Sequence, residues 1–317
     1  MLFMSSNPKI AVFCAGDANY IPQMIMALNM TCVRNMTFDP FIITDANDEE
    51  LKLIHEFKIK TLRMDLHEQF DRHNKNWPSQ SFWWCAGPQN LKNLGYDYSV
   101  FIDADVYCNN PLDLDVFNDE LEIAARQLET ENEYNSGVIL FNNHKMCEKD
   151  LYSNFVTSYI PMSTLMFEEF HGGKVHDQQV LSSLSSRPNQ YNEFLGKLGR
   201  FEITDLDIRW NYQFHRAKGM NDELIKMDYG KVKDEVIFTH FLLSRPWLHH
   251  EEWGGTHGLF KTNDFPNGWV VKSREGEPNP QTRLQFVMDW REEVREIEKV
   301  FGIQLFNDFG KLENMSL

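Results

Sequence analysis

Apolar runs alternate with amphipathic stretches through the opening part of the chain. Lys9–Ala15, apolar from Ile10 onward and closed by Gly16-Asp17, predicts a buried strand and a turn. Ile21–Met30 follows with apolar residues at helical spacing. Pro40–Thr44 and Lys60–Met64 predict two further strands, separated by a helix over Glu49–Phe57. Ser81–Leu94 predicts another helix, ended by Gly95, which suits the left-handed position beyond a helix C-terminus. Trp83 and Trp84 lie on that stretch and are expected in the core. Tyr98–Ile102 predicts a fourth strand. Strands alternating with helices need crossover connections, so the expected class is α/β, with a mainly parallel central sheet and helices on both faces.

Beyond this point the period changes. Glu122–Ala125 and Gly137–Phe141 predict strands, and Lys145–Tyr159 a helix. Ser163–Lys233 is mixed, with loop signals at Gly172-Gly173 and Arg187-Pro188. Val236–Phe241 predicts a strand that runs into a Trp- and His-rich segment. Gly254–Pro280, rich in Gly, Pro and Asn, is expected as a long loop, and Leu284–Val300 as a charged surface helix. There is no internal repeat.

At 317 residues the chain is long enough for one large domain or two small ones. Its net charge is −16 and no block of consecutive Lys or Arg occurs, which argues against nucleic acid or an anionic membrane surface as partner. Any bound phosphate must then be neutralised by a metal or by a few placed basic residues. Five cysteines, with no Cys-x-x-Cys pair, are expected as reduced thiols in an intracellular setting. The opening Met1-Leu-Phe-Met-Ser-Ser is too short for a signal peptide and no apolar stretch approaches the length of a transmembrane segment, so a cytoplasmic location is expected. Sequons at Asn29, Asn35 and Asn314 are accordingly expected to carry no sugar.

Asp103-Ala104-Asp105 ends the fourth predicted strand. Carboxylates at i and i+2 point to one side of extended backbone, and hard oxygen ligands of this kind suit Mg²⁺ or Mn²⁺. The same triplet also reads as a solvated acidic turn in a chain with 47 acidic residues. His240, at another strand end, suits either a metal ligand or a core histidine. Asn135-Ser136-Gly137 forms a good turn in any protein. Asp177 is a suitable helix N-cap for the helix that Asp177-Gln178 opens. Trp210, Trp247 and Trp253 offer flat faces suited to sugar rings, although core packing is the ordinary role of tryptophan. His249-His250-Glu251-Glu252 lacks the spacing that puts ligands on one helix face, and reads as a solvated loop.

Five segments in order carry a resemblance: Phe101-Ile-Asp-Ala-Asp-Val106, Asn135-Ser-Gly-Val138, Asp177-Gln178, Trp210-Asn211-Tyr212 and Thr239-His-Phe-Leu-Leu-Ser-Arg-Pro-Trp247. With the opening strand and Tyr20, the chain resembles the family 8 glycosyltransferases, the group that includes glycogenin, over roughly Lys9–Trp247. The resemblance implies a GT-A-type nucleotide-diphospho-sugar transferase fold, with residues 1–262 as the transferase domain and 263–317 as a loop and helical extension. It implies that Asp103, Asp105 and His240 hold Mn²⁺ or Mg²⁺ on the diphosphate of a UDP-sugar donor, with Arg245 on the same diphosphate. Ala15, Gly16, Asp17 and Tyr20 would meet the uridine and Ala104 the ribose. Asn135, Ser136 and Gly137 would meet the donor sugar, and Asp177 and Gln178 its reacting centre. Trp210, Asn211 and Trp247 are expected on the side of a glycan or other hydroxyl acceptor. The implied reaction is hexose transfer with retention of configuration.

Two features depart from the family pattern. Ser81–Leu91 contains no Arg or Lys, and Arg126-Gln127 stands where relatives often place an acidic sugar ligand. A metal-dependent phosphoryl hydrolase and a silent carbohydrate-binding protein are the alternatives from other classes. Donor sugar, acceptor, self-glycosylation and oligomeric state are left open by the sequence.

Overall fold

The computed structural model describes residues 8–64, 79–128, 132–159, 177–194, 199–213, 229–241, 246–247, 259–262, 265–271 and 280–306. Contacts divide the chain into two units, Met1–Ala104 with Leu112–Asp207, and Asp105–Pro111 with Ile208–Leu317. Among the described residues, no helix is long and apolar enough to cross a membrane.

The strands in chain order are β1 (Ile10–Ala15), β2 (Asp39–Thr44), β3 (Lys60–Arg63), β4 (Tyr98–Ile102), β5 (Val106–Cys108), β6 (Ile123–Gln127), β7 (Tyr134–Asn142) and β8 (Ile203–Asp205). All but β5 build one sheet of the first unit, in the order β3-β2-β1-β4-β7-β6-β8. β7 runs antiparallel to both of its neighbours, and the other neighbours pair in parallel. The α/β class with a mainly parallel sheet is therefore what the chain adopts. The helices of this unit are α1 (Ile21–Arg34), α2 (Asp48–Glu56), α3 (Gly87–Asn93), α4 (Asn143–Glu148), α5 (Leu151–Asn154), α6 (Asp177–Ser183) and α7 (Gln190–Phe194), and they cover both sheet faces. α2 begins at a reciprocal cap: the Asn47 side chain accepts from the amides of Glu49 and Glu50, and the Glu50 carboxylate accepts from the Asn47 amide.

The core follows from the apolar strands. Phe13 of β1 lies 5.4 Å from Phe101 of β4, and Trp84 packs at 4.9 Å against Phe155 and at 6.0 Å against Phe141. Burying such a phenylalanine contributes roughly 1.5–3 kcal/mol. Trp83 and Trp84 are fully buried, as expected.

Three expectations for the first unit need correction. Ser81–Leu94 is not one helix: a 3-10 segment over Ser79–Ala86 precedes α3. Pro88 cannot donate a backbone bond and belongs in a first turn, so the α-helix restarts at Gly87-Pro88. Lys145–Tyr159 is likewise divided into α4, α5 and a π-helical turn at Phe155–Tyr159, because Asp150 adopts a left-handed φ of 51°. Asn135-Ser136-Gly137 lies within β7 instead of a turn, since pairing with buried neighbours outweighs the local preference of these residues.

The second unit holds a three-stranded sheet in the order β5-β10-β9, where β9 is Tyr212–Gln213 and β10 is Phe238–His240. β10 is antiparallel to β5, with His240 opposite Val106, and parallel to β9, with His240 opposite Gln213. The expected Gly254–Pro280 loop contains an antiparallel pair, β11 (Leu259–Thr262) and β12 (Phe265–Val271). Phe260, Trp269, Val270 and Val271 are strand formers whose pattern is masked by intervening Pro266 and Gly268. The helices of this unit are α8 (Tyr229–Glu235) and the long α9 (Pro280–Phe301). α9 buries Phe286, Val287, Trp290, Val294 and Ile297, one helical stripe. Its Asp289 carboxylate accepts from Tyr229 and Lys233, and Glu293 accepts from the Tyr107 hydroxyl at 3.0 Å. The buried Arg291 Nε donates to the Pro246 carbonyl at 2.8 Å.

Candidate functional site

The sheet places several chemistry-bearing residues of the first unit at one rim. β1 and β4 are parallel, so Gly16-Asp17 and Asp103 follow at the same edge. β7 is antiparallel to β4 and sets Val138 opposite Ile102, which brings Asn135–Gly137 to that edge as well. In open α/β sheets this carboxyl rim is where ligands bind.

At this rim Asp17 Oδ1 accepts from the Asn19 amide at 2.9 Å, and Oδ2 accepts from Gln80 Nε2 at 2.6 Å. Tyr20, at the start of α1, is 39% exposed. Ala15 and Ala104 are half-buried. The two sequence segments Asn135–Gly137 and Asp177-Gln178 meet directly: Ser136 Oγ donates to Asp177 Oδ2, and Asn135 Nδ2 donates to Gln178 Oε1 at 2.8 Å. Asn135 Oδ1 in turn accepts from the Gly137 amide at 2.9 Å. Ser182 ties α6 to β7, accepting from the Tyr134 amide and donating to the Gln178 carbonyl. Arg126, at the end of β6, is buried; burial pulls its guanidinium down to about 10, against the opposing pull of Asp205 and Asp207.

The acidic triplet is fixed by backbone bonds on each side of Ala104. The Asp103 amide donates to the Gly137 carbonyl at 2.9 Å, and the Asp105 carbonyl accepts from the Phe241 amide at 3.0 Å. His240 Nε2 stands 3.1 Å from Asp105 Oδ1; the imidazole is 3% exposed and the carboxylate 20%. One ligand atom from each of Asp103, Asp105 and His240 lies within 4.8 Å of the others. Ligand atoms around one hard cation are at most ~4–5 Å apart, so this set fits a single divalent ion. Two carboxylates with an imidazole suit Mn²⁺ or Mg²⁺, with Mn²⁺ the better match to a nitrogen ligand.

Among the remaining sequence-predicted residues, Trp210 is 5% exposed and Asn211 fully buried. Asn211 Oδ1 is 3.2 Å from His240 Nδ1. Trp247 is half-buried, with its ring 6.1 Å from that of Trp290. Arg245, Trp253 and His249–Glu252 lie outside the described residues. Sequence reasoning missed Gln80 and Gln213, which hold Asp17 and Asn211. The i, i+2 spacing of Asn211 and Gln213 was the one available signal for the latter.

The sequence matches no protein-family model and no curated protein. Solved structures do match. The galactosyltransferase LgtC in complex with donor and acceptor sugar analogs aligns at 14% identity and a TM-score of 0.51, over 75% of this chain and 89% of that one. An active-site mutant of LgtC aligns at 12% identity and a TM-score of 0.54, over 81% of this chain and 99% of that one. Identity this low speaks to architecture alone, and the architecture is that of a GT-A glycosyltransferase.

Proposed function

We propose that this chain is a metal-dependent glycosyltransferase of the family 8 type. It moves a hexose from a UDP-sugar to a hydroxyl acceptor with retention of configuration. The observation that carries the reading is the grouping of Asp103 and Asp105, which follow β4, with His240 of β10 in a GT-A fold.

Asp103, Asp105 and His240 would hold Mn²⁺ or Mg²⁺. The bound ion would act as a Lewis acid toward the charge that grows on the departing nucleoside diphosphate. Asp17 and Tyr20, beside Ala15 and Gly16, take the uridine, and Ala104 leaves room for the ribose. Asn135, Ser136 and Gly137 orient the donor sugar. Asp177 and Gln178, already joined to Ser136 and Asn135, act at its reacting end. Arg245 supplies a bidentate donor fork for phosphate oxygens. Trp210 and Trp247 flank the acceptor. Positioning and charge stabilisation do the catalytic work in this scheme, with no glycosidase-like pair of acid and nucleophile.

The test is calorimetric titration of a panel of UDP-sugars with and without Mn²⁺, followed by transfer assays with the donor that binds. Donor binding is expected to require the metal. Asp105→Asn is expected to lower turnover by at least about 100-fold, the scale of a lost transition-state charge contact, with the fold kept. Near-normal turnover of the folded variant in Mn²⁺ would remove the basis of the assignment.

A further inference from the structure

We propose that Asn211 is a positioning residue that fixes the tautomer of His240, so that the ring presents Nε2 beside Asp105. This deepens the reading of Asp103, Asp105 and His240 as cation ligands and rests on it. It also gives Asn211 a role different from the acceptor contact that the family resemblance implies.

The geometry lies wholly within the second unit. His240 Nδ1 is 3.2 Å from Asn211 Oδ1, and Nε2 is 3.1 Å from Asp105 Oδ1. An amide oxygen can only accept, so the imidazole donates from Nδ1. In the neutral ring the lone pair is then on Nε2, on the side of the carboxylates. Gln213 Nε2 donates to the same Asn211 Oδ1 at 3.2 Å. With Gln213 in this orientation, a reversed Asn211 amide would set its NH₂ against the Gln213 NH₂ and leave His240 Nδ1 facing a donor.

Local structure explains why these three side chains meet. β9 pairs in parallel with β10, and Gln213 is the register partner of His240. Asn211 immediately precedes β9, two positions before Gln213 and hence on the same side of the extended chain. All three side chains are buried, so water does not compete for these bonds. Asn211 Oδ1 accepts twice, from His240 and from Gln213, which fills the two lone pairs of an amide oxygen. A metal-ligating histidine commonly needs such a partner on its other nitrogen, and losing that partner weakens metal affinity by about 10–100-fold.

The experiment is Mn²⁺ titration by calorimetry of the full chain and of Asn211→Ala, Asn211→Asp and Asp105→Asn, with acceptor KM measured at saturating Mn²⁺. Asn211→Ala is expected to bind Mn²⁺ about 10–100-fold more weakly, with acceptor KM unchanged. Asn211→Asp keeps an acceptor oxygen at Nδ1 and is expected to recover most of the affinity. A folded Asn211→Ala within twofold of the parent overturns the proposal, as does a raised acceptor KM with Mn²⁺ affinity intact. If the alanine variant does not fold, ¹⁵N spectra of neutral His240 in the unaltered protein decide. A proton on Nδ1 supports the assignment and a proton on Nε2 overturns it. If the unaltered chain and Asp105→Asn take up Mn²⁺ alike, or neither does, the ligand reading itself falls and this role falls with it.

Discussion

At the residue scale, one charged cluster has a pH consequence that can be worked out in sign. Tyr96 donates to Asp39 Oδ2 at 2.6 Å, and Lys60 Nζ lies 2.9 Å from Asp39 Oδ1 and 3.0 Å from the Tyr96 hydroxyl. Burial pushes the Asp39 carboxyl upward, but the bonds from Tyr96 and Lys60 outweigh it and leave it below the ordinary value of 3.8. A depressed carboxyl contributes stability that is present above about pH 4 and is lost as pH falls through its lowered value. Asp39→Asn is therefore expected to flatten the acid limb of a stability-versus-pH curve, and to leave the slope at neutral pH unchanged. Urea melts across the acid range check this, and the effect is small because the carboxylate is 38% exposed and screened by solvent. Side-chain roles were unevenly legible in the sequence. The burial of Trp83 and Trp84 was readable because two adjacent indoles on an apolar stretch have nowhere else to go. The strand placement of Asn135–Gly137 was not, because their small polar side chains favour turns until neighbouring strands claim the backbone.

Elements end and restart where two glycines have different physical duties. At Gly95 φ is +84°, the Gly95 amide bonds to Lys92 and the Tyr96 amide to Leu91, which closes α3 with a left-handed cap. Nothing lies within 4 Å of a Cβ built there, so Gly95→Ala meets only the conformational penalty, about 1 kcal/mol. At Gly87 the backbone is ordinary, but a Cβ would sit 2.2 Å from the Phe13 ring. Gly87→Ala is expected to cost about 1–3 kcal/mol through overpacking, and trimming Phe13 to leucine in the same chain should recover part of it. Paired denaturant curves in which Phe13→Leu recovers nothing at Gly87→Ala would contradict this division. The cap at Gly95 was readable from sequence alone. The crowding at Gly87 was not, since it depends on a strand more than seventy positions away. For the same reason, the β11–β12 pair was hidden: its strand formers are interrupted by Pro266 and Gly268, and only the partner strand reveals them.

For the molecule as a whole, the alternation of strands and helices up to Ile102 was sufficient to anticipate the sheet, because crossover geometry leaves few options. The antiparallel β7 and the later strands were harder, since their pairing depends on contacts distant in sequence. If Asp103, Asp105 and His240 clasp a cation as proposed, Mn²⁺ should stabilise the folded chain by mass action. At a concentration 100-fold above Kd the gain is about 2.7 kcal/mol. Thermal melting of the unaltered chain should rise by several degrees with Mn²⁺, and Asp105→Asn should not respond. Equal responses from both would place the ion elsewhere.

The long helix α9 offers none of the proposed ligands, yet it braces their surroundings. Glu293 tethers Tyr107, two positions from Asp105, and Arg291 tethers the carbonyl of Pro246, one position beyond Arg245. Damage to this buttress would slacken the seat of the proposed cation while every proposed ligand side chain stayed intact. A variant crippled in this way would look, to an assay that counts only turnover, like a mutant of the proposed metal ligands themselves.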